Sequence, residues 1–187
     1  MPIKNVFEEV ISQEEINEIL TALTKEKGHV EPNHGFNGAI GFYNLSVTNK
    51  HLAKIEKHVK SVVGDNIKFE NSFIRIYKEG SALPFHIDRP GLDITVSLCL
   101  RRDIPWPLVV SLKEADGNCR DSEALYKRFC LEESYKLLTS NYDLLPGSIV
   151  IAEGQKFPHW REQFSGNSDQ YNIYVFLHWS WITVQSL

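Results

Sequence analysis

The spacing of apolar residues changes near Asn66, from a helical period to alternation. Before that point Ile11, Ile16, Ile19, Leu20 and Leu23 form one stripe, and Ser12 with Glu15 three residues later has the sequence of a capping box. A helix is therefore predicted within Val6–Lys25, ended by the stretch from Gly28 to Asn33. Ala39 to Leu45 reads as a short strand. A second helix opens at Thr48 or Asn49, carries Leu52, Ile55, Val59, Val62 and Val63 on one side, and stops at Gly64-Asp65-Asn66. From Ile67 the pattern is strand-like. Phe69 to Lys78 ends at Glu79-Gly80-Ser81, and a segment holding His86 and Asp88 ends at Pro90-Gly91. Leu92 to Leu100 alternates cleanly, with Leu92, Ile94, Val96, Leu98 and Leu100 on one face and Asp93, Thr95, Ser97 and Cys99 on the other. Pro105-Trp106-Pro107 cannot lie in a central strand, because two backbone donors are missing. Leu108 to Leu112, Ile149 to Ala152 and Tyr171 to Trp179 complete the strands. Lys113 to Asn141 is a polar insertion with a predicted short helix around Glu123 to Leu131. Two helices followed by about eight short strands predict a mostly β protein: N-terminal α-helices packed on a double-stranded β-helix, a cupin-like jelly-roll.

Composition narrows the class. With 187 residues, 42% of them hydrophobic, the chain can bury one sizeable core and is short for two. One domain is expected, with residues 1–65 as helical support and residues 66–181 as the β core carrying the insertion 113–141. A net charge of -4 and a pI near 6.0 give no reason to expect nucleic acid or an anionic membrane as partner. No apolar run is long enough to span a bilayer, and the first residues lack the basic and apolar regions of a secretory leader. Cys99, Cys119 and Cys130 lack metal-type spacing and make a poor disulfide framework. The expectation is a cytoplasmic protein with free thiols; oligomeric state is left open. His51 and His58, among lysines on the second helix, read as solvated.

The candidate chemistry lies in Phe85-His86-Ile87-Asp88-Arg89-Pro90 and Pro158-His159-Trp160-Arg161. On a strand, side chains two apart point the same way, so His86 and Asp88 would share a face. An imidazole and a carboxylate there are two thirds of a metal site. His159, on a second strand after Pro146-Gly147-Ser148, is the natural third ligand. Two histidines and one carboxylate, with open coordination positions, are the ligand set of non-haem Fe(II) oxygenases. His-x-Asp alone is a weak signal; the flanking strands, the glycine turn and the distant histidine strengthen it.

In these segments the chain resembles the 2-oxoglutarate and Fe(II)-dependent oxygenases, in their prolyl-4-hydroxylase-like branch. The matching features are Arg75-Ile76-Tyr77-Lys78-Glu79-Gly80, His86-x-Asp88, the strand Leu92 to Leu100, Leu145-Pro146-Gly147-Ser148 and His159. They span residues 66 to 179. A narrower likeness, to members with His-x-Asp-Arg-Pro, Pro-Trp-Pro-Leu and His-Trp-Arg-Glu segments, rests on Asp88 to Pro90, Pro105 to Leu108 and His159 to Glu162. The resemblance implies Fe(II) held by His86, Asp88 and His159, with 2-oxoglutarate and O2 as cosubstrates. It also implies oxidative decarboxylation to succinate and CO2, coupled to hydroxylation of an unactivated C–H bond. The presence of Asp88 argues against the family's halogenase variant, which lacks this carboxylate. Substrate is not encoded legibly; an amino acid, a peptide or a small metabolite fits.

The far carboxylate of 2-oxoglutarate needs a buried cation. Relatives place Lys or Arg nine or ten residues after the distal histidine, where this chain has Ser168-Asp169-Gln170-Tyr171. Arg161, two residues after His159, is the expected substitute, since a guanidinium grips a carboxylate with two parallel hydrogen bonds. Arg75 is the second choice, Tyr77 matches a tyrosine that relatives use to bond the cosubstrate, and Gln170 is a candidate neutral donor. Thr95 and Ser97 are candidate pocket-lining residues, and Arg89 and Trp160 candidate substrate contacts. His178 reads as structural, and Trp106, Trp179 and Trp181 as core or rim aromatics. Three other readings use the same residues. A metal- or ligand-binding module would lack turnover, a zinc hydrolase would act without oxygen, and nucleic-acid demethylation is disfavoured by the absence of a basic stripe.

Overall fold

The computed structural model describes residues 5–30, 38–43, 45–115 and 138–182. Helix α1 (Gln13–Leu23) starts where the capping box places it. The Ser12 backbone N–H donates to Glu15 Oε2 at 2.8 Å, and the Glu15 N–H donates to Ser12 Oγ at 3.3 Å. The helix buries Ile16, Ile19 and Leu23. Residues before the cap are not helical, which corrects the early part of the predicted span. Asn5–Phe7 form strand β1, paired with β9 (Ile149–Ala152) at the end of a sheet. A cap at Ser12 forces the helix to begin after it, and the unpaired edge of β9 takes the preceding segment.

The second predicted helix is two helices, α2 (Ser46–Lys50) and α3 (Leu52–Val63), meeting at His51 (φ -95, ψ 0). Expected to be solvated, His51 is in fact 6% exposed. Its ring nitrogens lie 3.3 Å from carboxylate oxygens of Glu15 and Glu18, which also pair with Lys54 and Lys50. The carboxylates of α1 supply what water would have supplied. His58 packs its ring 4.7 Å from that of Phe7.

The remaining strands are β2 (His29–Val30), β3 (Ile40–Tyr43), β4 (Ile67–Tyr77), β5 (Leu83–His86), β6 (Ile94–Arg102), β7 (Leu108–Ser111), β8 (Thr139–Tyr142), β10 (His159–Arg161) and β11 (Asn172–Trp181). They form two antiparallel sheets. The larger has the order β1-β9-β6-β11-β4-β3-β2, and the smaller β5-β10-β7-β8. Pro105 to Pro107 lie between β6 and β7, outside any strand. The predicted helix at Glu123 to Leu131 falls outside the described residues.

Strict alternation in β6 and β11 feeds two cores. Ile94, Val96, Leu98 and Leu100 join Ile173, Val175, Leu177 and Trp179 beneath Ile16, Ile19, Ile55 and Val59 of the helices. The opposite phase, Cys99, Tyr174 and Phe176 with Tyr77, meets Leu83, Trp106, Leu108, Val110 and Phe157. Each fully buried aliphatic or aromatic side chain contributes roughly 1.5–3 kcal/mol. The large sheet is thus buried on both faces, and the inner one looks onto the small sheet. Burial pushes the Cys99 thiol up to about 12, so this cysteine is a free, neutral core residue. Gly147 ties the helical layer to the sheet. Its φ of +85 is left-handed, and an added Cβ would lie 2.6 Å from the Ile11 carbonyl oxygen. Among the described residues no helix is long and apolar enough to cross a membrane.

Candidate metal centre

The small sheet supplies two imidazoles. His86, at the end of β5, is the direct antiparallel partner of His159 at the start of β10. Their ring centroids are 4.3 Å apart. The β5–β10 ladder ends at this pair, because the Asp88 and Phe157 N–H groups that would extend it donate instead to the Gly154 and Glu153 carbonyls. Asp88 therefore lies beyond the strand, which corrects the expectation that strand alternation aligns it with His86. What brings it in is the loop: its backbone N–H donates to the Gly154 carbonyl at 2.9 Å, and its Oδ2 accepts from the Thr95 hydroxyl.

The three side chains converge. Asp88 Oδ1 is 3.7 Å from His86 Nε2 and 3.8 Å from His159 Nε2, and one donor atom from each residue lies within 4.8 Å of the others. Both rings have the same tautomer. His86 Nδ1 is 2.7 Å from the Pro84 carbonyl and His159 Nδ1 3.1 Å from the Phe157 carbonyl. A carbonyl only accepts, so each Nδ1 carries the proton and each Nε2 offers its lone pair to the centre. Burial, then the neighbouring charge of His159, pushes His86 down to about 4, so it is neutral and ready to ligate at pH 7. For Asp88 burial acts upward, but the imidazoles of His159, His178 and His86 and the Thr95 hydroxyl together hold it below its ordinary value. Two imidazole nitrogens and one carboxylate oxygen are a donor set that fits a divalent first-row metal and leaves other positions open.

A buried cation lies on the same strand. Arg161 is 1% exposed, donates from Nη1 to the Trp106 carbonyl at 2.5 Å, and places its guanidinium 4.0 Å from the Tyr174 ring centroid. Its Nε and Nη2 are buried and have no hydrogen-bond partner among the described residues. Burial pushes Tyr174 up to about 12, so it is a neutral wall rather than a counter-ion. A buried guanidinium with two open donors calls for an anion. Tyr77 is fully buried, 4.6 Å from Trp106 ring to ring, and its hydroxyl accepts from Arg75 Nη1 at 3.2 Å. Arg75 lies close enough to His86 for its charge to depress that imidazole. Thr95 thus bonds Asp88, Arg75 acts on both His86 and Tyr77, and Arg161 shares β10 with His159.

Other candidates go elsewhere. Gln170 accepts from the Asn167 N–H at 3.0 Å and lines a cleft with Leu20, Ile76 and Ile173 on the helix-facing side of the sheet. Trp160, between two inward residues, packs on Phe85 at 5.3 Å with Ile87 on the outer face of the small sheet. Strand alternation puts them there: the inward phase of β10 belongs to His159 and Arg161. Arg89 is exposed on the turn after Asp88. Two residues not singled out for the site belong to it. His178, 3% exposed, is the register partner of Thr95, bonds Asn71 Oδ1 through Nδ1 at 2.9 Å and stacks on Phe73. Its place was readable from the phase of β11, where residues 174, 176 and 178 face inward. Gly154 carried no such signal, since Glu153-Gly154-Gln155 reads as an ordinary turn.

The sequence matches no protein-family model and no curated protein. Solved structures do resemble it. HygX from Streptomyces hygroscopicus, crystallised with nickel and 2-oxoglutarate bound, is 11% identical with a TM-score of 0.69, over 96% of this chain and 83% of that one. A Pseudomonas putida prolyl-4-hydroxylase is 10% identical with a TM-score of 0.67, over 96% and 93%. The non-haem α-ketoglutarate-dependent carbocyclase SnoK of nogalamycin biosynthesis is 13% identical with a TM-score of 0.72, over 98% and 84%. The chain has the jelly-roll fold of the 2-oxoglutarate and Fe(II)-dependent oxygenases.

Proposed function

We propose that the protein is a 2-oxoglutarate- and O2-dependent Fe(II) dioxygenase that hydroxylates an unactivated C–H bond of an amino acid, peptide or small metabolite, releasing succinate and CO2. The observation that carries this is a pairing on one strand. His159 of the His86–Asp88–His159 triad and the buried, open-handed Arg161 are two residues apart, roughly 7 Å along β10. A metal site and an anion site at that separation suit a short dicarboxylate that touches both. Fold neighbours support the same reading: one structure holds nickel and 2-oxoglutarate, and another of that protein also holds hygromycin B.

Each residue has a defined task. The Pro84 and Phe157 carbonyls fix the imidazoles so that Nε2 of His86 and His159 faces the metal, and Asp88 Oδ1 supplies the negative charge. When bound, iron with 2-oxoglutarate supplies the oxidant for C–H cleavage. Arg161 takes the far carboxylate through Nε and Nη2, with Trp106 and Tyr174 excluding water around the ion pair. Tyr77 is held by Arg75 for a hydrogen bond to the cosubstrate. His178 and Arg89, whose charges act on one another beside Asp88, are the proposed substrate side.

The test is a screen of metabolite and peptide libraries with Fe(II), 2-oxoglutarate and O2, following succinate and a gain of one oxygen by mass spectrometry. A stimulating substrate with oxygen gain, lost in His86→Ala, is the expected result. Turnover that persists in His86→Ala, or that proceeds with zinc and no oxygen, contradicts the assignment.

A further inference from the structure

Asp88 is the one triad residue that no strand holds, and its two oxygens have different surroundings. Oδ1 faces His86 Nε2 at 3.7 Å and His159 Nε2 at 3.8 Å. Oδ2 accepts from the hydroxyl of Thr95, which β6 holds rigidly between Ala152 and His178 of its neighbouring strands. Gly154 closes the other side. Its carbonyl takes the Asp88 N–H at 2.9 Å, and a Cβ built on it would fall inside the van der Waals envelopes of Asp88 Oδ2 and Thr95 Oγ1. Its backbone is not in the left-handed region, so the glycine is needed there for space.

We infer that Thr95 and Gly154 are positioning residues for the metal carboxylate, holding Asp88 with Oδ1 toward the two imidazoles. The hydroxyl engages Oδ2 and turns Oδ1 to the metal; the missing Cβ leaves the volume that the carboxylate fills. This rests on reading the triad as a metal centre.

Metal binding tests it without turnover: calorimetric titration of the full chain with Co(II) alone, with the melting temperature of each metal-free variant measured beside it. Thr95→Ser, which keeps the hydroxyl, is expected to bind within about twofold of the natural protein. Thr95→Val, the same shape without the hydroxyl, is expected to bind about 10- to 100-fold more weakly, the usual effect of losing a group that orients a ligand. Gly154→Ala is expected to lose at least as much; if it does not fold, the Ser and Val pair decides. Natural affinity in Thr95→Val, or equal losses in Ser and Val, overturns the inference while leaving the metal centre standing. A natural protein that binds no Co(II), or a His86→Ala variant that binds as well as the natural one, overturns the metal centre and the inference with it.

Discussion

At Arg161 the physics is a count of donors. One of its nitrogens has the Trp106 carbonyl, while Nε and Nη2 are buried without a partner among the described residues. A charged hydrogen bond contributes about 1.5–3 kcal/mol, so Arg161→Ala is expected to raise the KM for 2-oxoglutarate by about 10- to 100-fold, with a smaller change in kcat at saturation. Arg161→Lys is expected to recover only part of that, because an ammonium cannot make the two-point grip. Steady-state kinetics with varied cosubstrate checks both; an unchanged KM in Arg161→Ala transfers the role to Arg75. His86 gives a pH prediction. Its ordinary value is 6.5 and burial lowers it to about 4, so between these the unfolded chain binds more protons and stability falls as the pH falls. Asp88, held below its ordinary 3.8, adds a loss further into acid. Melting of the metal-free protein is expected to drop from about pH 6.5 toward 4.5, less steeply in His86→Ala, and a flat profile contradicts it. At this scale the sequence pointed to the three residues that the fold brings together, His86, Asp88 and His159. It missed Gly154, because a steric vacancy has no local signature; the inward place of His178 was legible only in the phase of β11.

Elements were legible where one physical force decided them. Alternation in β6 and β11 separates two cores, so the face each residue takes follows from hydrophobicity. The start of α1 follows from the cap. Ser12→Ala is expected to cost about 1 kcal/mol, roughly 2–4 °C in melting temperature, with metal affinity unchanged. A thermal melt and a metal titration of that variant check the separation of helix support from site. What failed to be legible needed a partner distant in sequence. β1 exists because β9 has a free edge, and the break at His51 is stabilised by two carboxylates of α1. The Asp88 segment leaves the strand because its N–H is taken by the carbonyl of Gly154, far along the chain. The right residue was reached from strand geometry that does not apply to it.

For the molecule as a whole, the site is a seam between two sheets. β5 and β10 bring the imidazoles and Arg161, the β5–β6 loop brings Asp88, and the inner face of the large sheet brings Thr95, Tyr77 and Arg75. Filling the seam should therefore stabilise the entire fold. At a free metal concentration of 100 times Kd the gain is about 2.7 kcal/mol, roughly 5–10 °C in melting temperature for a chain of this size. His159→Ala should show no such shift, and differential scanning with and without metal decides it. The central claim, that His86, Asp88 and His159 hold an iron that 2-oxoglutarate chelates, is tested most directly by an anaerobic titration with Fe(II) followed by 2-oxoglutarate. The account predicts a weak visible charge-transfer band that appears only when both are present and is lost in His86→Ala. A natural protein that gives no band under saturating Fe(II) and 2-oxoglutarate would contradict it.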